Sequence, residues 1–123
     1  MIKFDSKSPI YLQVMNEIKK QLALGEIKPG DKLPSSRELA VLYSINPNTA
    51  SRVYKELEAM GICFKKRGLG TFVTKEINMI KPIKQDMARD YVIAFITSMR
   101  DLGYKKEEII DILKNKEWDN GID

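Results

Sequence analysis

Apolar residues recur at helical spacing along most of the chain, with one short interval where the period becomes that of a strand. Tyr11, Val14, Ile18 and Leu22 mark a first helix. Ser8 before Pro9 predicts its N-cap and first helical position, and Gly25 its end. Pro29 followed by Gly30 predicts a type II turn. Ser35, with Glu38 three residues on, forms a capping-box signature for a second helix. That helix carries Leu39, Ala40, Leu42 and Tyr43 and ends near Tyr43. A four-residue break leads to Asn46, the cap of a third helix with Pro47 in its first position. Ala50, Val53, Tyr54 and Leu57 form its buried stripe, and Gly61 stops it. Residues 62–66 and 71–73 then read as two strands around the basic loop Arg67, Gly68, Leu69, Gly70, a β-hairpin. Residues 77–81 read as a connector closed by Pro82. Met87, Tyr91, Ala94, Phe95, Met99 and Leu102 mark a further helix ended by Gly103. Ile109, Ile110 and Leu113 place a last short helix at residues 106–114, whose start lacks a good capping residue. The chain end, Trp118 aside, is expected to fray.

The pattern predicts a mainly α chain with a small β-hairpin: a winged helix-turn-helix over residues 1–76, then a connector and a two-helix segment over 77–123. The 123 residues suit one ordinary domain, or a small domain with an appendage. With no histidine, the commonest general base and the commonest transition-metal ligand are both missing. The lone Cys63 excludes an internal disulfide framework and a zinc-binding cysteine cluster. It reads as a small packing residue, not a redox sensor. No catalytic residue, metal or cofactor is expected. No stretch approaches the ~20 apolar residues that span a bilayer, and the N-terminus lacks a secretory h-region. The expectation is a cytoplasmic protein with no membrane partner.

Charge adds a location for the partner. Residues 1–80 hold 13 Lys and Arg against 8 Asp and Glu, whereas residues 81–123 hold 8 against 9. The positive excess thus lies in the helix-turn-helix module, as an interface for an anionic polymer requires. Opposite its buried stripe, the third helix carries Asn48, Ser51, Arg52 and Lys55. A helix entering the major groove N-terminus first needs short polar side chains there and cations further on. Asn pairs bidentately with adenine, Arg with guanine, and Ser or Thr with either. Ser36 and Arg37, in the first turn of the second helix, lie where that helix crosses the backbone. At the hairpin tip, Lys66 and Arg67 adjoin Gly68, which lets the backbone approach a phosphate or the minor groove. Plainer roles stand beside these. Asn46 and Pro47 serve first as a helix start, and Glu38 as a cap. Tyr43 and Tyr54 read as packing. Lys65 and Lys66 alone could guard a strand edge, and Arg52 could be an exposed helix former.

The run Gly25, Glu26, Ile27, Lys28, Pro29, Gly30, Asp31, Lys32, Leu33, Pro34, Ser35, Ser36, Arg37, Glu38, Leu39, Ala40 resembles the signature of the GntR family of bacterial transcription regulators. Asn46, Pro47, Asn48, Thr49 and the wing residues Gly68, Leu69, Gly70, Thr71, Phe72, Val73 match the family too, in the right order. The resemblance implies operator contacts from Arg37, from Asn46, Asn48, Thr49 and Ser51, and from Arg67 and Gly68. Ser51 stands where some relatives carry arginine, so base preference does not carry over. A tail of about forty residues is too short for the large effector domains of most members. It resembles that of the YtrA-like subfamily, whose helical pair dimerises, and it implies a repressor of transporter operons.

The tail also argues for assembly on its own. Residues 91–96 are apolar on more sides than one partner could cover, and a segment this short rarely makes its own core. A second copy is the simplest cover, meeting its own patch in a two-fold interface. The candidate contacts are Met87, Tyr91, Val92, Phe95, Ile96, Met99, Leu102, Ile109 and Leu113; the alternative is a tail folded back on its own DNA module. The expected function is sequence-specific binding of a palindromic double-stranded DNA operator by a homodimer. Room remains for a small-molecule effector that the sequence does not identify. A winged-helix module that binds protein is the competing class, separable by salt dependence. An enzyme is disfavoured by the lack of any nucleophile–base pair.

Overall fold

The computed structural model describes residues 2–115, so the expectation for Trp118 and the chain end lies outside the described residues. The chain divides into two compact units, Met1–Gln85 and Asp86–Asp123. Five helices and one hairpin follow in the order α1 (Ile10–Ala23), α2 (Ser36–Tyr43), α3 (Pro47–Ala59), β1 (Cys63–Lys66), β2 (Gly70–Val73), α4 (Ile77–Asp101) and α5 (Lys106–Asn115). This is the mainly α winged helix-turn-helix that the pattern predicts.

In the first unit the core lies between α1, α2 and α3. Val14, Met15, Ile18 and Leu22 of α1 meet the α3 stripe of Ala50, Val53, Tyr54 and Leu57, with Leu39, Ala40 and Tyr43 from α2. Tyr54 is the hub. Its ring is buried, and its hydroxyl donates to the Pro34 carbonyl, tying the lead-in of α2 to α3. Burial raises this phenol's pKa, with smaller contributions from Cys63, Glu38 and Tyr43, so it remains a donor. The packing role expected for Tyr43 and Tyr54 therefore holds.

Two boundaries differ from expectation. The N-cap of α1 is Pro9, and Ser8 makes no side-chain cap. Gln13 holds the entry instead. Its Nε2 donates to the carbonyls of Asp5 and Ser8, and its Oε1 accepts from the Asp5 N–H. Residues 77–81, expected as a connector, are the first turns of α4, and Pro82 lies inside that helix. The missing N–H costs one i→i−4 bond, a loss the surrounding apolar residues offset: Ile80 and Ile83 are both buried. Glu76 N–H donates to Thr74 Oγ1 just before α4 begins.

The helix ends share one device. After α1, α3 and α4 the chain closes through paired 5→2 and 6→1 hydrogen bonds, with Gly25, Gly61 and Gly103 at positive φ. After α2 the same pair of bonds forms, from Ser44 to Val41 and from Ile45 to Ala40, but the left-handed residue is Ser44, at φ 54°. A side chain there costs about 1–2 kcal/mol. Glycine would return part of that to its more flexible unfolded chain. Ser44→Gly will therefore stabilise the protein by up to about 1 kcal/mol, read as a higher denaturant midpoint at unchanged slope. A lower midpoint would show that the serine side chain holds the turn.

In the second unit, the α4 residues from Asp86 onward and α5 form a helical pair. Their turn closes through Gly103 N–H to the Arg100 carbonyl and Tyr104 N–H to the Met99 carbonyl. The start of α5, expected to lack a cap, is held from the other side. Glu108 Oε1 accepts from the Lys105 N–H at 2.9 Å, the carboxylate half of a capping box.

Candidate nucleic-acid interface

The site is built on α2, α3 and the wing, all within the first unit. The capping box at α2 is complete. Ser35 Oγ accepts from Glu38 N–H at 3.1 Å, and Glu38 Oε1 from Ser35 N–H at 2.8 Å. The Ser35 N–H foremost, and then the Ser35 hydroxyl, hold the Glu38 carboxyl below its usual range, with a smaller pull from Lys32. Glu38 is thus a cap, as its spacing implies. The box fixes the first turn of α2, from which Arg37 projects, exposed and without an ion pair among the described residues. Ser36 is half-buried beside it.

At α3, Asn46 Oδ1 accepts from Asn48 N–H at 2.8 Å, so the Asn46 carbonyl oxygen is committed to capping while its amide NH2 is not. The side chains of Asn48, Ser51 and Lys55 are exposed and make no hydrogen bond or ion pair among the described residues. Thr49 is half-buried, which leaves it less to offer a ligand than its neighbours. Arg52 is different. Its guanidinium carbon sits 3.8 Å from the centroid of the Tyr11 ring, and its Nε lies 3.9 Å from Glu56 Oε1.

The wing pairs Cys63 with Val73, Phe64 with Phe72, Lys65 with Thr71 and Lys66 with Gly70. Leu69 N–H closes its turn on the Lys66 carbonyl, with Gly68 at φ 77°. Phe64 and Phe72 stack with centroids 6.1 Å apart, and the Lys66 ammonium lies over both rings at 5.8 and 5.1 Å. Lys65 leans the other way, 3.9 Å from Glu58 of α3, and so serves the wing's attachment. Arg67 at the tip is exposed and unpaired among the described residues. Cys63 is buried, which pushes its thiol up to about 12 and leaves it a packing residue.

One cation of this surface escapes a reading of periodicity alone. Residues 30–33 run beside β2 as a short third edge: Gly30 N–H donates to the Val73 carbonyl, Val73 N–H to that of Asp31, and Leu33 N–H to that of Thr71. Lys32 thereby lies against the wing. Its Cε is 3.0 Å from where a Cβ on Gly70 would stand. Gly70, at φ 119°, is open to the lysine stem because it has no side chain. The Pro-Gly turn at 29–30 that leads into this edge forms with Gly30 at φ 83° and an Asp31 N–H to Lys28 carbonyl bond.

Among the described residues no helix is long and apolar enough to cross a membrane, and no cluster of His, Cys, Asp or Glu could hold a metal ion. The profile described as "Bacterial regulatory proteins, gntR family" matches residues 10–73, which spans α1 to the end of the wing. Over more than nine-tenths of its length the chain is similar to two regulators of Bacillus subtilis. It is 40% identical to the uncharacterized HTH-type transcriptional regulator YhcF, over 91% of this chain and 93% of that one. It is 38% identical to the HTH-type transcriptional repressor YtrA, over 93% and 90%. A solved GntR family transcriptional regulator from Listeria monocytogenes superposes with a TM-score of 0.81 at 38% identity, covering 93% of this chain and all of that one. These relatives are transcriptional regulators and not enzymes, and regulators of the family bind operator DNA. With the family profile filling the helices and wing that form the site, the chain belongs to the GntR family and is a transcriptional regulator with a DNA-binding winged helix.

Proposed function

We propose that this regulator is a cytoplasmic repressor that binds a palindromic operator as a homodimer. Residues 1–76 form the DNA-binding domain and residues 77–123 supply the dimer contact. The observation that carries the reading is the apolar face of the second unit. Tyr91, Val92 and Leu102 are 61%, 53% and 73% exposed, with Phe95, Ile96 and Leu113 also open to solvent. All of these but Leu102 border a groove of about 930 Å³ between α4 and α5, which buried Ile109 also lines. A contiguous apolar face of this kind is rare on a monomer and suits a two-fold contact with its own copy. Met87 and Met99 are half-buried and Ile109 is buried, so the contact rests on the exposed residues, with these three as support.

On DNA, α3 enters the major groove. Asn48, Ser51, Arg52 and Lys55 face the bases, with Asn46 and Thr49 at the groove edge. Ser36 and Arg37 grip the backbone beside it, and Lys66, Arg67 and Gly68 bring the wing to a neighbouring groove. Repression is supported by the likeness to YtrA, a repressor matched along nearly the whole chain.

Selection of bound sequences from random DNA tests the function. It will recover an inverted repeat with half-sites one helical turn, about 10 base pairs, or a multiple apart. Affinity will fall steeply with salt. No enriched sequence, together with shallow salt dependence, would overturn the reading in favour of a protein-binding module.

A further inference from the structure

We propose that Tyr11, which lies on α1 and outside the DNA-facing elements, is a positioning residue for base readout, acting through Arg52. The inference rests on the operator reading above and adds a residue to it. Arg52 is the one cation of α3 whose side chain the fold already holds among the described residues. The Tyr11 ring lies under its guanidinium carbon, 3.8 Å from the ring centroid, and Glu56, one turn further along α3, sits 3.9 Å from its Nε. Its two terminal nitrogens make no hydrogen bond or ion pair among the described residues, and the side chain is 57% exposed. The guanidinium lies over the ring, its Nε edge is near a carboxylate, and the terminal edge remains for a ligand.

Such an arrangement matters most for a side chain that must read a base. Arginine recognises guanine through two parallel N–H bonds in a fixed plane, and a free arginine must give up rotamer freedom to present that plane. Stacking on an aromatic ring fixes the plane before DNA arrives. Glu56 also disfavours a wandering contact between Arg52 and a phosphate. Lys55, three residues on, has no such support to hold it in one plane. A purely structural role, with Arg52 serving only to join α1 to α3, would need no free terminal edge.

The experiment measures discrimination: affinity for the selected operator divided by affinity for the same site altered at the base pair that Arg52→Ala no longer reads. Tyr11→Leu keeps bulk and removes the ring face. It will lower discrimination at that base pair by about two- to fivefold, the worth of an exposed cation–π contact. It will leave the salt slope unchanged, and it will add nothing in an Arg52→Ala background. Tyr11→Phe will restore the parent's value. A series of increasingly fluorinated phenylalanines at position 11 keeps the ring's shape while weakening its negative face, and discrimination will fall along it. That series stays decisive if Tyr11→Leu does not fold. A parent that selects no sequence overturns the operator reading and this proposal with it. A selective parent whose discrimination ignores both ring chemistry and Tyr11→Leu, or variants that lose affinity for every sequence alike, overturns the role of Tyr11 alone.

Discussion

Val92→Asp combined with Phe95→Asp will convert a homodimer into a folded monomer that has lost about 100-fold or more of its operator affinity. Both side chains are more than a third exposed in the single chain. Carboxylates there meet water in the monomer and cost it little. In a two-fold contact the same patch faces its own copy, so four new negative charges would be brought together out of water, at a cost of several kcal/mol. Sparing Ile109 and Met99 matters, because Ile109 is buried and Met99 half-buried within the chain, and charging them would destabilise the helical pair itself. The affinity follows from the DNA side. Two linked modules bind the second half-site as an intramolecular event, and separation forfeits that gain. Sedimentation at tens of micromolar will find the parent a dimer and the variant a monomer with the parent's helical circular dichroism. A monomeric parent would remove the dimer and the palindrome together, and a variant that stays dimeric would take the dimer contact away from this face.

The same exposed face is legible in the sequence because residues 91–96 place apolar side chains on more sides than one helix can cover. The cap signals at Ser35 and Asn46 are equally legible, since a cap is a local event whose partners lie two or three residues away. What escapes depends on distance or on tertiary override. Pro82 reads as a terminator by its intrinsic chemistry, yet buried Ile80 and Ile83 carry the helix through it. Ser8 and Pro9 sit one residue out of phase with the pattern, because Gln13 reaches back over eight residues to organise the entry loop. The start of α5 looks uncapped because the signal lies in Glu108 and not in the cap residue. Lys32 beside Gly70 and Arg52 over Tyr11 join residues about forty apart in sequence, and no periodicity encodes such pairs.

On the operator reading proposed above, the polar face of the module divides its work between reading and gripping, and three substitutions separate the two. Asn48 lies in the first turn of α3, its backbone N–H fixed by Asn46 and its side-chain amide free. An amide there can pair with an adenine edge, a contact worth about 1–3 kcal/mol of discrimination. Asn48→Ala will therefore relax preference at one base pair per half-site while leaving the slope of log K against log salt unchanged. Arg67 at the wing tip and Arg37 at the start of α2 are exposed cations without partners among the described residues, and neither is held in a plane by a ring. They are suited to phosphate. Arg67→Ala and Arg37→Ala will each weaken selected and unrelated DNA alike, and each will flatten the salt slope by about one unit for every phosphate left without its cation. None of the three side chains is used by the core, so unfolding midpoints will stay within about 0.5 kcal/mol of the parent. Titrating each variant against the selected operator and a scrambled duplex, at several salt concentrations, separates the outcomes. Parent-like binding by all three would take the polar face of α3 and the wing out of the DNA interface. A lowered slope for Asn48→Ala with specificity intact would reassign that residue from a base to the backbone.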